Sequence, residues 1–357
     1  MSRITTFESV RAGTTDTWLA PTLVDIQING FAGVDFQRDG ITEADLVKAT
    51  VGLRRAGCAH YLLTLITDEW TALLARLRHL KSLRDANPEL KTAIFGWHIE
   101  GPFLSAEPGF RGAHNPQVMC DPTPAHIGQL KQVTQDDPVL LTLAPEREGA
   151  LAAIPAARKA GFRVSFGHTN ASQSRLREGM EVGGQAFTHL GNGCPQQLDR
   201  HDNILWRVLN TPGLTVGLIP DQIHVSPAFF RLAHRLIEHE RLYYTTDAMS
   251  AADAPPGRYS IGRVELEVAA DRIVRLPGSQ NFAGSSLTPL EAPFFAAQML
   301  QGNWRDCWDA ISTVPARFMG LEAGLAPGQP ANFCLVPADE SNALPGCKVY
   351  YHGVPQT

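Results

Sequence analysis

No two cysteines in this chain form a CxxC pair. Cys58, Cys120, Cys194, Cys307, Cys334 and Cys347 stand far apart, which argues against a disulfide framework and against a thiolate zinc site. Charge is scarce as well. Charged residues make up 19% of the sequence, the formal net charge is -5, and no run of lysine or arginine stands out. The basic footprint that nucleic acid or an anionic membrane requires is therefore missing. No apolar stretch reaches membrane-spanning length, and the opening MSRITTFESVRAGTTDTW holds no apolar core of signal-peptide length. These absences predict a soluble, cytoplasmic protein with a small-molecule partner. No strand-like run is followed by GxGxxG or a Walker loop, which weighs against a doubly wound nucleotide-binding sheet.

What is present is a large apolar fraction, 44% of 357 residues, enough for a substantial core while leaving the domain count open. Eight short apolar runs have strand length: 22–29, 60–67, 93–100, 138–146, 162–169, 185–192, 214–221 and 241–248. Between most of them lie stretches of helical periodicity, among them ITEADLVKATVGLRRAG, REGALAAIPAARKAG, NASQSRLREGMEVGG and SPAFFRLAHRLIEHE, several closed by glycine. Ser226-Pro227 has the form of a helix start. Alternating strands and helices imply a parallel sheet, and eight such units predict an α/β fold closed into a (β/α)8 TIM-like barrel. The barrel is expected over 21–319, with a hairpin insertion near 255–286 and two helices from about Thr288 to Met319. Residues 1–20 and 320–357 are expected to form a small β appendage.

Run after run ends in a group that can bind a metal or move a proton. Gln27 and Asn29 end the first, Glu100 the third, Glu146 the fourth, His168 the fifth, His189 the sixth, Asp221 the seventh with His224 three residues on, and Asp247 the eighth. In a parallel barrel these ends share one mouth, so Glu100, His168, His189 and Asp247 can meet. One carboxylate and two imidazoles suit Zn²⁺ or Fe²⁺ and leave positions for water and substrate. A bound cation lowers the pKa of water to roughly 7, within reach of a carboxylate base, for which Asp247 is the candidate. Each residue also has a plainer reading. A single strand-end histidine is commonly hydrogen-bonded structure, Asp247 could cap a turn, and Glu146 could pair with Arg147 or another cation. His60, His79, His126, His234 and His239 sit at strand starts or in helices and read as structural or exposed.

The motifs HIEGPF, FRGAHNP, FGHTNA, THLGNG, TTDAM and AGSSLTPLE, in this order, resemble the N-acetylglucosamine-6-phosphate deacetylases of the amidohydrolase superfamily. The likeness runs from about residue 22 to about residue 336. By motif position it implies that Glu100, His168 and His189 bind a divalent metal, that Asp247 is base and later acid, and that His114 polarises the acetamide carbonyl. It places His224 and Arg200 at the sugar phosphate, with help from the backbone around Asn192 and Gly193. Many superfamily members carry HxH at the first strand and bind a second metal. Here the strand reads DIQING, and the neutral amides of Gln27 and Asn29 are weak ligands, so the resemblance implies one metal, Zn²⁺ or Fe²⁺. Family members are commonly oligomeric, which implies a homodimer or larger homo-oligomer.

Three departures stand beside the likeness. Few residues precede the first strand, so the sandwich-like second domain is expected to be reduced. Arg200 sits in QQLDRHDN without the surroundings of a phosphate loop and reads equally as a solvated arginine. Gln222 takes a position where glycine is usual. Rival readings are hydrolysis of a cyclic amide, deacetylation of another N-acetyl sugar, and a non-catalytic sugar-binding protein.

Overall fold

Each of the eight apolar runs becomes a strand of one parallel sheet. These are β1 Leu23–Ile28, β2 Cys58–Ile66, β3 Ile94–Glu100, β4 Val139–Leu143, β5 Arg163–Phe166, β6 Ala186–Phe187, β7 Thr215–Leu218 and β8 Leu242–Tyr244. They neighbour one another in chain order. The computed structural model describes residues 8–12, 15–277, 282–326, 328–341 and 343–356. Crossover helices cover the outside: α1 Glu43–Arg55, α2 Trp70–Ala86, α3 Pro124–Thr134, α4 Ala150–Lys159, α5 Gln173–Glu181, α6 Ile204–Leu209, α7 Pro227–Leu236 and α8 Ala292–Leu300. Their starts are chemically marked. Thr42 and Asp45 form a capping box on α1, and the Ser226 hydroxyl accepts from Phe229 N–H at the start of α7.

The strands read as unbroken apolar runs because both faces are buried, one under the helices and one inside the barrel. Val24, Ile26, Leu62, Leu140 and Tyr243, near the strand starts, pack with Val314 and Met319 of the helix Thr313–Met319, which plugs the lower end. Higher up, the interior turns polar. His98 Nε2 lies 2.8 Å from Thr142 Oγ1, which lies 2.8 Å from Thr188 Oγ1, itself 2.7 Å from Ser165 Oγ. His98 shares its face with Glu100, as strand alternation requires, and ends in this hydroxyl layer.

No ladder joins β8 to β1. The seam is closed by the bridge between Ile28 and Ala248, by Asn29 N–H donating to Ala248 carbonyl at 2.7 Å, and by the fully buried carboxylate of Asp25. Asp25 accepts from Gln27 N–H at 3.1 Å, Thr246 N–H at 2.9 Å, Thr246 Oγ1 at 2.6 Å and the Thr245 hydroxyl. One side chain thus fixes both β1, which carries Gln27 and Asn29, and the residues leading to Asp247. Truncating it would strand several buried donors at about 1–3 kcal/mol each. Asp25→Ala is therefore expected to lower the denaturant midpoint by an amount worth at least about 3 kcal/mol, and an unshifted midpoint would refute the clasp.

The insertion after β8 is a three-stranded antiparallel sheet, Gly257–Ile261, Val264–Val268 and Val274–Arg275. Its apolar side packs on Met249, Ala283, Ile66 and Ala113, the residue before His114. Asp35 ties it to the loop after β1, accepting from Ser260 Oγ at 3.0 Å and Gly262 N–H at 2.8 Å. Part of the expected hairpin, 278–281, lies outside the described residues. Beyond it the chain forms three helices rather than the expected two: α8, Arg305–Trp308 and Thr313–Met319, because Gly302-Asn303 and Ser312 break the run. Strands Glu8–Ala12 and Thr15–Pro21 join Phe333–Pro337, Lys348–Tyr351 and Val354–Gln356 in a five-stranded antiparallel sheet beside the barrel. Among the described residues no helix is long and apolar enough to cross a membrane.

Candidate metal centre and active site

Glu100, the last residue of β3, is 3% exposed inside the mouth. His189 Nε2 lies 2.9 Å and His168 Nε2 3.3 Å from its Oε1. The donor atoms of the three residues fall within 4.8 Å of one another. Both histidines follow short strands, and the backbone turns sharply to aim them inward. His168, His189 and Asp247 have φ of +50°, +33° and +51°, a region that non-glycine residues enter at a cost of about 1–3 kcal/mol each. Burial and hydrogen bonding elsewhere must hold them there.

His168 shows how it is held. Its Nδ1 donates to Phe110 carbonyl at 2.9 Å, which leaves the Nε2 lone pair for the mouth. Its ring is pinched between two glycine backbones. A Cβ on Gly193 would sit 2.8 Å from His168 Nδ1, and one on Gly112 3.0 Å from Cε1. Glu146 braces the following turn, accepting from the Thr169 hydroxyl and from Asn170 N–H at 2.8 Å. The suggested pairing of Glu146 with Arg147 does not form, because Arg147 turns to Asp121 at 2.8 Å. Gly193→Ala is expected to weaken divalent metal binding at least about tenfold, as losses of ligand support typically do. Calorimetric titration reads it against Gly161→Ala, where φ is also left-handed but a Cβ meets nothing within 4 Å. Equal effects of the two substitutions would show that only backbone strain had been added.

Asp247 stands opposite. Gln27 Nε2 bridges it to Glu100, donating to Asp247 Oδ1 at 3.0 Å and Glu100 Oε1 at 3.1 Å, and Asn29 Nδ2 donates to Asp247 Oδ1 at 2.6 Å. The neutral amides therefore serve as donors to the two carboxylates. Burial, then the charge of Glu100, push the Asp247 carboxyl up to about 7, against the pull of His189, His224 and the Asn29 hydrogen bond. Burial also opposes charge on Glu100 and His189, yet their mutual contact wins, holding Glu100 well below the usual carboxylate range and His189 above the usual imidazole value. The cluster thus favours a positive charge at its centre. Among the described residues His189 Nδ1 is buried without a hydrogen-bond partner. One carboxylate and two imidazoles with lone pairs to offer are a donor set that fits a divalent cation.

His114 comes from the long loop after β3. Its ring centroid lies 4.4 Å from that of His168, and its Nε2 is 4.0 Å from Glu100 Oε2. Burial, then the charge of His168, drive its pKa down to about 3, so the ring is neutral. Thr67 Oγ1 lies 2.8 Å from its Nδ1 and donates to Glu100 carbonyl at 3.4 Å, which fixes the ring at the edge of the mouth.

The remaining expected residues divide. Asn192 caps the turn after His189, its N–H donating to His189 carbonyl at 3.0 Å. His224 is held by Asp221, with Nδ1 2.5 Å from Oδ2. Arg200 lies exposed on the same loop as Gly193, and among the described residues its guanidinium makes no hydrogen bond or ion pair. Gln222 does adopt a left-handed φ of +64°, and its side chain donates to Gln298 Oε1 at 2.8 Å. Sequence reading missed Thr67, Asp25 and the carbonyl of Phe110. Only Asp25, a lone acid in an apolar strand, left a signal. The plainer reading holds for His60, His79 and His234, whose rings bond Thr92 carbonyl, Ile41 carbonyl and the Tyr244 hydroxyl.

No family model matches the chain. It is 31% identical over 316 residues to the N-acetylglucosamine-6-phosphate deacetylase of Rattus norvegicus, covering 85% of this chain and 75% of that protein. It is 29% identical over 318 residues to the N-acetylgalactosamine-6-phosphate deacetylase of Escherichia coli O157:H7, covering 88% and 82%. In three dimensions it resembles the N-acetyl-D-glucosamine-6-phosphate deacetylase of Mycobacterium smegmatis, solved as an aspartate-to-alanine mutant in complex with N-acetyl-D-glucosamine-6-phosphate. That match has a TM-score of 0.85 and 29% identity and covers 95% of this chain and 87% of the other. On the extent of this similarity and the shared barrel, the chain belongs to the N-acetylglucosamine-6-phosphate deacetylase family of the amidohydrolase superfamily.

Proposed function

We propose that this protein removes the acetyl group from a phosphorylated N-acetylhexosamine, N-acetylglucosamine 6-phosphate first, giving glucosamine 6-phosphate and acetate. The observation that carries the reading is a carboxylate, Asp247, anchored by two amide donors and facing the buried Glu100, His168 and His189 set. A pocket that only bound sugar would gain nothing from that pairing.

Glu100, His168 and His189 would hold one divalent cation, for which Zn²⁺ suits the ligand set and Fe²⁺ is the alternative. When bound, such an ion supplies Lewis acidity, polarising the acetamide carbonyl and making water acidic enough to lose a proton near neutral pH. His114, held at Nδ1 by Thr67 and kept neutral by burial, is assigned to the carbonyl oxygen, which it meets through Nε2. Asp247 has Oδ1 engaged by Gln27 and Asn29, so Oδ2 takes the proton from water and returns it to the amine nitrogen. The nitrogen needs that proton because an amide anion is too basic to leave. On the substrate side we assign His224, the backbone of Asn192 and Gly193, the amides of Gln27 and Asn29, and Arg200, whose unpaired guanidinium suits a phosphate. Six free thiols and a small net charge support a cytoplasmic enzyme with neither nucleic acid nor membrane as partner, and the resemblance supports a homo-oligomer.

The test is a panel of N-acetylglucosamine and N-acetylgalactosamine, each with and without the 6-phosphate. The reading expects kcat/KM for a 6-phosphate to exceed that of its unphosphorylated sugar by at least about tenfold, the lower worth of a charge-assisted contact. Metal-loaded protein inactive on all four would overturn it.

A further inference from the structure

After the three-stranded insertion the chain returns to run beside the turn that carries Asp247. Ala248 bridges Ile28 of β1 on one side and Ser285 on the other, both in parallel register, so the turn lies between two other stretches of backbone. Ser285 is 1% exposed and directs its polar groups at that turn. Its N–H donates to Asp247 carbonyl at 2.9 Å and its carbonyl accepts from Met249 N–H at 2.9 Å. Its hydroxyl donates to Thr246 carbonyl and accepts from Leu287 N–H at 3.1 Å. Gly284 permits the approach. It has a left-handed φ of +66°, and a Cβ there would sit 3.2 Å from the Asp247 carbonyl oxygen.

Asp247 has a φ of +51°, a conformation that an aspartate keeps only where its surroundings enforce it. From the barrel side, Asp25 grips the N–H and the hydroxyl of Thr246 at 2.9 and 2.6 Å. The carbonyls of Thr246 and Asp247 face the other way, and Ser285 holds both. We propose that Ser285 is a positioning residue for Asp247, bracing the left-handed turn so that the carboxylate stays against Gln27 and Asn29 and faces Glu100. Its hydroxyl proton is engaged by Thr246 carbonyl, so Ser285 acts through Asp247 and carries no proton itself. The work assigned to Asp247 rests on the deacetylase reading, but the brace does not. Displacing a proton carrier by about 1 Å can cost a hundredfold in rate. Glu100, His168 and His189 are held by other contacts, so the metal set should not feel the loss.

The zinc-loaded full chain is compared as wild type, Ser285→Ala, Ser286→Ala, Asp247→Asn and the Ser285→Ala/Asp247→Asn double variant. Ser286 is the control, a neighbouring hydroxyl, 6% exposed, that donates to Arg272 carbonyl in the insertion instead. Ser285→Ala is expected to lower kcat for N-acetylglucosamine 6-phosphate by about 10–100-fold, with KM and the zinc Kd within about twofold of wild type. Ser286→Ala should leave kcat within about twofold, and adding Ser285→Ala to Asp247→Asn should cost less than about twofold more, because the residue it aims no longer transfers protons. An unchanged kcat in Ser285→Ala, a zinc affinity that falls along with kcat, or an equal loss in both backgrounds would overturn the brace. If Ser285→Ala does not fold, Ser285→Cys, whose thiol is a weaker donor, takes its place under the same outcomes. Wild-type protein inactive on every N-acetylhexosamine phosphate would instead remove the deacetylase reading. Crystals of Ser285→Ala would then still decide the brace, which expects the Asp247 turn to shift and is overturned by an unmoved one.

Discussion

Asp247→Asn is expected to lower kcat by at least about a thousandfold while making the metal-free protein more stable at neutral pH. The loss of rate follows from its two proton transfers, neither of which an amide can perform. KM should change little, since the amide keeps the shape and still accepts from Gln27 and Asn29. The gain in stability follows from linkage. Folded Asp247 keeps its proton up to about pH 7, raised by burial and the nearby Glu100 charge, against an ordinary value of 3.8. Between those values the folded state binds more protons than the unfolded chain, so stability falls as pH rises and the whole deficit is present above pH 7. Its ceiling is on the order of 4 kcal/mol, about three pH units at 1.4 kcal/mol each. Denaturation of metal-free wild type and Asp247→Asn from pH 4 to 8 should show curves that separate as pH rises. Parallel curves would show that the carboxylate is ionised without strain.

The second large effect concerns the cation. A ligand that binds only the folded state stabilises it by about 2.7 kcal/mol at a hundred times its Kd. Adding Zn²⁺ to metal-free wild type should therefore raise its melting temperature by several degrees, and a chelator should reverse the rise. Glu100→Gln keeps the shape of the side chain but removes the charge that both imidazoles face at 2.9 and 3.3 Å. The variant is expected to gain nothing from Zn²⁺ and to lose activity at least as fully as Asp247→Asn. A Glu100→Gln protein that Zn²⁺ still stabilised as much as wild type would place the ion elsewhere.

Much of this was legible because barrel chemistry is written at strand ends. The apolar runs ending in Glu100, His168, His189 and Asp247 located both the strands and the mouth, since a polar group after a buried strand must face the place where strands converge. The turn that brings the groups together was not legible. No sequence rule predicts a left-handed backbone at His168, His189 and Asp247, because histidine and aspartate are not compelled there as glycine would be. Gly112 and Gly193 looked like ordinary loop glycines, and only the folded chain shows the His168 ring lying between them. Thr67 and Phe110 act through a hydroxyl and a carbonyl that carry no signal of role. Gln27 and Asn29 were read as amides in the place of ligands, and the structure adds that each is a donor to a carboxylate.

The most direct measurement is anomalous X-ray scattering at the zinc edge from crystals of the Zn²⁺-loaded protein. The account predicts a single peak per chain, at about 2.0–2.2 Å from a Glu100 oxygen and from one ring nitrogen each of His168 and His189. A peak away from those three residues, or a second one of equal height beside Gln27 and Asn29, would contradict it.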